Sequence, residues 1–329
     1  MDTSSGVIVR IEASPQPLIS RTFAILRERI QQRCSTAVIE GVAGAQIILT
    51  IDGDLPPEAF RIDEIGTAVR VAGGSPQGLL YGVGKLLRTS RYDGGFQPTA
   101  WRGVSVPQGT LRGMYFASHF HNWYHVAPEA ELRRYTEDLA LWGVNALLVC
   151  FPFLNLTGWD DPGVDTAVEM VRKLIRTAHE LGMKASCGAG NPLFSGTPQT
   201  IRATPLPDPT GRRGNSGFPV CPSTAEGAAY ILTNARELFR RLADVGLDLL
   251  TFWPYDEGGC ACDRCLPWGC NGYLRMSHEI TKIAREVFPD VKTVLSTWMF
   301  DMPPEGEWEG LSEAMHHGEC DWVDYILAD

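Results

Sequence analysis

From Leu111 onward the chain repeats one pattern: a short apolar run, a loop, then an amphipathic helical stretch. The runs at 146–151 and 249–253 are almost continuously apolar rather than alternating, and shorter or more mixed runs stand at 113–116, 184–187 and 293–298. Strands of that kind are buried on both faces, which happens in a parallel sheet covered by helices. Between the runs, apolar residues recur at spacings of three and four. Leu132, Tyr135, Leu139 and Trp142 mark a helix begun at Pro128, and Val168, Val171, Leu174, Ile175, Ala178 and Leu181 mark the next, with Gly182 as its stop. Ser223-Thr224-Ala225-Glu226 fits a capping box that opens a third helix over Leu232, Leu238, Leu242 and Val245. Helices near 273–287 and 311–316 and an apolar run at 322–327 complete the series. No Gly-rich phosphate turn follows the first run, which disfavours an open doubly wound sheet. The expected class is α/β, a (β/α)8-type TIM barrel. Six strand–helix starts are present, and residues 111–329 are fewer than the roughly 250 of a closed eight-fold barrel. The barrel is therefore expected to be incomplete at its C-terminal side.

Residues 1–90 predict a small α/β domain. Residues 7–11 are a β-branched strand, about 18–32 a helix, and 46–51 a second strand. A hairpin joins 60–63 to 67–71, with Gly66 at its turn. Ser75 caps a further helix and Pro76 takes its first position. Residues 91–111, rich in Gly, Pro, Thr and Gln, are read as a linker, and 112–329 as the barrel. The 329 residues suffice for this division, and 44% hydrophobic with 21% charged residues is ordinary for a globular protein. A net charge of −10 argues against nucleic-acid and anionic-membrane partners. Met1–Gly6 lack the basic segment and apolar core of a signal peptide, and Cys34, Cys150, Cys187, Cys221 and Cys320 are scattered singly, so a reducing, cytoplasmic setting is expected.

In a barrel the reacting groups sit where strands end. Those ends carry Ser118, His119, His121 and Asn122, then Asn155 and Trp159, then Asn191. The fourth strand leads into Trp253, Tyr255, Asp256 and Glu257, the fifth into Trp298 and Asp301, and the sixth into Asp329. Carboxylates, amides and aromatic platforms suit a hydroxyl-rich ligand, with Trp253 and Trp298 stacking on its apolar faces. A carboxyl beside another carboxylate and an aromatic wall has a raised pKa, as proton donation to a leaving oxygen requires. Glu257 is read as the general acid, and Asp256 as the group that orients or stabilises the attack at the anomeric carbon; the bland alternative is that the pair begins a solvated loop. His119, His121 and His125 have ligand-like spacing but serve equally as hydrogen-bond donors to sugar hydroxyls. The spacing C-x-C-x2-C-x4-C at Cys260, Cys262, Cys265 and Cys270 can close a tetrahedral zinc shell or hold an iron–sulfur cluster; reduced thiols or two local disulfides are the alternative.

The run Arg112-Gly113-Met114-Tyr115-Phe116-Ala117-Ser118-His119-Phe120, followed by residues 132–148 with Trp142-Gly143-Val144-Asn145-Ala146-Leu147, resembles the first strand, helix and second strand of glycoside hydrolase family 20 and of related α-glucuronidase and O-glycoprotein hexosaminidase barrels. Residues 73–87 are similar to the end of the small α/β domain that precedes those barrels. By that resemblance Asp256 and Glu257 match the paired acids after the fourth strand. In family 20 the Asp holds the substrate's acetamido group, whose carbonyl oxygen attacks, and the Glu protonates the leaving oxygen. The chain departs from the family in having Pro254-Tyr255 before the acids where Gly-Gly is usual, and Ala117 and His119 near the positions of an expected Asp and Arg. The cysteine cluster is also foreign to the family's core motif. The expected activity is hydrolysis of a terminal sugar, foremost an N-acetylhexosamine, with a carbohydrate partner and no cofactor in catalysis, apart from a structural zinc at the cysteines. The alternatives are an α-glucuronidase-like hydrolase, a non-catalytic carbohydrate-binding protein on a decayed barrel, or a metal-dependent protein centred on the thiolates.

Overall fold

The computed structural model describes residues 6–118, 122–188, 193–206, 219–254, 259–298, 300 and 307–328. Its elements run β1 (Val7–Ile11), α1 (Pro17–Cys34), β2 (Val38–Glu40), β3 (Ile47–Ile51), β4 (Phe60–Ile65), β5 (Ala68–Gly73), α2 (Pro76–Thr89) and β6 (Gly103–Ser105). There follow β7 (Gly113–Phe116), α3 (Trp123–Val126), α4 (Glu129–Leu141), β8 (Ala146–Cys150), α5 (Val164–Glu180) and β9 (Lys184–Gly188). The last are α6 (Ala225–Leu242), β10 (Leu249–Phe252), α7 (Arg275–Val287), β11 (Lys292–Ser296), α8 (Glu307–His316) and β12 (Tyr325–Leu327). Two compact units result, one of residues 1–114, 128–146 and 177–183, the other of 115–127, 147–176 and 184–329.

The first unit is built on a mixed sheet of order β2-β1-β3-β5-β4-β6. β2, β1, β3 and β5 pair in parallel, and β4 runs antiparallel to β5 and β6. Gly66, at φ +61°, makes the β4–β5 turn, a backbone conformation that costs glycine little. The Ser75 hydroxyl accepts from the Gly78 amide at 3.4 Å and Pro76 opens α2, the arrangement that a side-chain cap supplies to an otherwise unpaired N–H. The stretch read as a linker contributes a bridge between Arg91 and Gln97 and the strand β6. The three-residue β2 is too short for periodicity to reveal it.

α4 packs in this first unit, and its buried face differs from the expected one. Thr136, Glu137, Leu139, Ala140 and Leu141 are buried, while Trp142 is 71% exposed with the Arg88 guanidinium 4.1 Å above its ring. Gly84 explains the close approach of α2 and α4. A Cβ there would lie 1.9 Å from the Leu141 carbonyl oxygen, so the helices meet backbone to backbone. Buried Glu137 is held by Arg21 and by the equally buried Arg29, whose guanidinium burial pulls its pKa down.

The second unit carries a curled, half-barrel sheet of parallel strands in the order β12-β11-β10-β9-β8-β7. Every residue of β8 and β10 is buried, as continuous apolar runs require. Asp248 accepts from the Ala185 amide through its carboxylate and from the Lys292 amide through its carbonyl, so it sets the register of β10 against both neighbours. The Ser186 and Thr251 hydroxyls meet at 2.7 Å inside the sheet. Among the described residues no helix is long and apolar enough to cross a membrane.

Candidate functional site

Successive strands of the half-barrel bring one residue each to their C-terminal ends, because β-strand side chains repeat with period two and neighbouring parallel strands share a register. Tyr115 of β7 and Trp253, just past β10, meet with ring centroids 5.1 Å apart. Beneath them lie Cys150 of β8 and Gly188 of β9. A Cβ on Gly188 would come within 2.7 Å of the Cys150 sulfur and 3.3 Å of the Trp253 ring, so the absence of a side chain lets the indole lie across the strand ends. Burial pushes the Cys150 thiol up to about 12 and raises Cys187 as well, which makes both inert apolar fillers rather than nucleophiles. The result is an aromatic wall beside the point where β10 leaves the sheet.

The exit of β10 is itself anchored. The buried Tyr273 hydroxyl donates to the carbonyl oxygens of Phe252 at 2.9 Å and Ser296 at 2.8 Å, tying the ends of β10 and β11 together. On the far side of the acid-bearing segment, Gly259 has φ +93°, and a Cβ there would lie 2.1 Å from the Trp268 ring. Gly272 presses the same indole from its own position, with a virtual Cβ 1.9 Å away. The sequence Asp-Glu-Gly-Gly therefore ends on a glycine that no other residue can replace without moving a buried tryptophan.

The structure distributes the sequence-derived candidates as follows. Asp256, Glu257, Tyr255, His119, His121, Asn191 and Asp301 lie outside the described residues, as does Asp329. Trp253 stands in the aromatic wall, and Trp298 is 44% exposed after β11, its amide donating to the Ser296 hydroxyl at 3.1 Å. Asn122 is engaged locally: its amide nitrogen donates to the Ala117 carbonyl and its oxygen accepts from the Tyr124 amide, which fastens the turn into α3. Ser118 is fully buried and bridges to the carbonyl and amide of Cys150 at 2.6 and 2.8 Å, so it joins β7 to β8 rather than facing a ligand. Trp159 packs into a cluster with Phe151, Phe153 and Phe194 and donates to Asn234 at 3.1 Å. Tyr115 was not singled out by sequence; the signal was its place beside buried Phe116 on a four-residue strand, which turns it to the opposite face.

The cysteines regroup. Cys260, Cys262 and Cys265 come together with Cys221, all four sulfurs lying within 4.8 Å of one another. Cys270 stands apart and needs correcting as the fourth member. The π-helical turn Gly269–Leu274 carries it away, its thiol donating to the Pro267 carbonyl at 3.5 Å and facing Gly310. Cys221 sits just before α6, where the cap also differs from expectation. Thr224, not Ser223, accepts from the Gly227 amide at 3.0 Å. Ser223 instead places its hydroxyl 3.0 Å from the Cys265 sulfur. With thiols this close, the Cys265 S–H bonded to Cys260 holds the Cys260 thiol below its ordinary value, and giving up that proton is correspondingly harder for Cys265.

No family model and no curated protein matches the chain. Solved structures do. The chain is similar to the Flavobacterium johnsoniae chitobiase of family 20, with a TM-score of 0.63 at 13% identity over 98% of this chain and 56% of that one. A mutant Streptomyces plicatus β-hexosaminidase in complex with its product GlcNAc gives a TM-score of 0.67 at 13% identity, over 98% of this chain and 70% of that one. A GH138 enzyme targeting pectin rhamnogalacturonan II gives 0.58 at 14% identity, over 98% and 38%. The chain thus spans from 38% to 70% of the length of these proteins. The fold is that of family 20 glycoside hydrolases, a small α/β unit followed by the sheet of a TIM-type barrel.

Proposed function

We propose that the chain is a glycoside hydrolase that releases a terminal N-acetylhexosamine, with Glu257 as general acid and Asp256 holding the acetamido group. One observation carries this reading. Asp256 and Glu257 come four and five residues after the end of β10, the fourth strand from β7 of a sheet with the family 20 fold, where the resemblance puts the paired acids. Anchoring on either side, by Tyr273 at Phe252 and by Trp268 at Gly259, supports a segment held for chemistry. The Tyr115–Trp253 wall supports a ligand that stacks.

In this reaction the acetamido carbonyl oxygen bonds to the anomeric carbon while the glycosidic C–O bond breaks and the Glu257 proton passes to the leaving oxygen. Water then opens the cyclic intermediate and returns a proton to Glu257. Glu257→Gln is expected to lower hydrolysis of an aryl N-acetylhexosaminide by about 10²–10⁴-fold with an unchanged circular-dichroism spectrum; wild-type turnover in that variant sinks the reading. A thiazoline analogue of the cyclic intermediate should inhibit. A second reading, hydrolysis of a uronic acid, draws on Ala117 and His119 standing near the positions of the family's Asp and Arg. A panel of aryl sugars separates the two, and binding without turnover would favour a carbohydrate-binding protein. The scatter of Cys34, Cys150, Cys187 and Cys320 as single residues along the chain favours a reducing, cytoplasmic setting for this activity.

A further inference from the structure

We infer that Cys221, Cys260, Cys262 and Cys265 form a closed tetrathiolate site for one zinc ion, a clamp on the segment that leaves β10. The separations are those that a metal demands. Four thiolates at about 2.3 Å from a tetrahedral zinc lie about 3.8 Å from one another, and Cys221 is 3.8 Å from both Cys262 and Cys265. All four sulfurs fall within 4.8 Å. A multinuclear iron–sulfur cluster would spread the sulfurs on different irons further apart, because bridging sulfides and a second metal intervene. Cys260 and Cys265 are fully buried and Cys221 nearly so, which fits a filled coordination sphere without an open position.

The backbone around the sulfurs is built to present them. The amides of Cys265 and Leu266 both donate to the Cys262 carbonyl, at 2.9 and 3.1 Å, folding Cys262-x-x-Cys265 into a turn that points two sulfurs at one place. On the opposite side Ala203 donates to Pro219 and Cys221 donates to Ile201, so residues 201–203 and 219–221 form a short antiparallel pair that fixes Cys221. The Ala261 amide donates to the Thr204 carbonyl at 2.8 Å and joins the two halves. Ser223 adds an outer contact. Its oxygen accepts from Arg275 at 2.7 Å and lies 3.0 Å from the Cys265 sulfur, and its hydroxyl also reaches the Arg264 carbonyl at 3.4 Å. A guanidinium relayed through a hydroxyl offsets the negative charge that four thiolates leave on a divalent ion. This is why α6 is capped by Thr224, one residue later than the sequence suggests.

Cys260 is three positions after Glu257 in sequence, and Cys221 lies four residues before the first residue of α6. The metal therefore ties the exit from β10 to the start of the preceding helix, independently of which reaction the acids perform. Purified full-length chain should carry one equivalent of zinc, and X-ray absorption at the zinc edge should show four sulfurs at about 2.3 Å. Cys270→Ser should keep the zinc, and Cys221→Ser should lose most of it. If Cys221→Ser does not fold, alkylation of the native wild type followed by peptide mass spectrometry still decides. Cys221, Cys260, Cys262 and Cys265 should be protected until a chelator removes the metal, while Cys270 reacts first. Absence of zinc, two disulfides among the four cysteines, a shell with fewer than four sulfurs, or protection of Cys270 in place of Cys221 overturns the assignment. Metal content and hydrolysis are measured separately, so failure of one leaves the other standing.

Discussion

In the N-terminal unit charge joins the sheet's elements: Arg61 reaches Asp52 and Asp63, Arg70 grips Asp63 through two nitrogens, and Arg29 and Arg21 converge on buried Glu137. Inside the half-barrel sheet neutral hydroxyls join the strands, Ser118 to Cys150, Ser186 to Thr251, and Tyr273 to Phe252 and Ser296, while carboxylates act only at the strand starts, Asp248 at β9 and Asp324 at β11. A sheet covered on both faces has little water to offset a charge, so a hydroxyl is the cheaper way to satisfy a polar contact there. Ionised groups are then left to the ends of the strands, where Asp248, Asp324 and Lys292 stand.

The contrast breaks most readily at Glu137. Glu137→Ala leaves Arg29 without its buried partner and should cost about 3–5 kcal/mol, read from the denaturant midpoint, with zinc content unaltered. A cost under about 1 kcal/mol, the range of exposed pairs, would remove charge as the device that holds the first unit. Tyr273→Phe deletes the hydroxyl that links the Phe252 and Ser296 carbonyls. About 1–3 kcal/mol should be lost, and amide exchange should speed up at the ends of β10 and β11; a change confined to β1–β6 would contradict the role given to this residue. Thr224→Ala should cost about 1 kcal/mol through the lost cap of α6, whereas Ser223→Ala should leave the helix capped and act on the metal site, seen as faster zinc release to a chelator. The smallest effect concerns pH. The hydrogen bonds from Arg70 hold Asp63 below its ordinary value of 3.8. A carboxylate depressed in the folded state binds fewer protons folded than unfolded, so its stabilisation is complete above 3.8 and is lost as pH falls through the lower folded value. Asp63→Asn should therefore flatten the stability profile in that acidic window and nowhere else, and an unchanged profile would show that the Arg70 contact contributes nothing.

Most elements were legible because each rests on forces within its own stretch of chain. The β4–β5 hairpin follows from alternation around Gly66, α2 from Ser75 and Pro76, and the end of α5 from Gly182, whose φ is +67°. β8 and β10 announced themselves as continuous apolar runs and are buried at every residue. α4 was legible as a helix but not in its facing: the stripe through Leu132, Tyr135 and Trp142 gave way to Glu137 and Ala140, because α4 packs against a glycine of α2 and an arginine of α1. No local pattern encodes a partner that arrives from 50 or 100 residues away.

The site divides along the same line. Sequence alone determined that an apolar strand runs into Trp253 and two acids, and that a run of four cysteines, Cys260, Cys262, Cys265 and Cys270, follows, since both are properties of a short stretch of chain. Only the tertiary structure decided that Cys221 and not Cys270 completes the cluster, that Ser223 serves a sulfur rather than a helix end, and that Tyr115 meets Trp253. Those choices are made when strands align in register and loops are fastened across them, bringing together side chains whose separation along the chain says nothing about their distance in space.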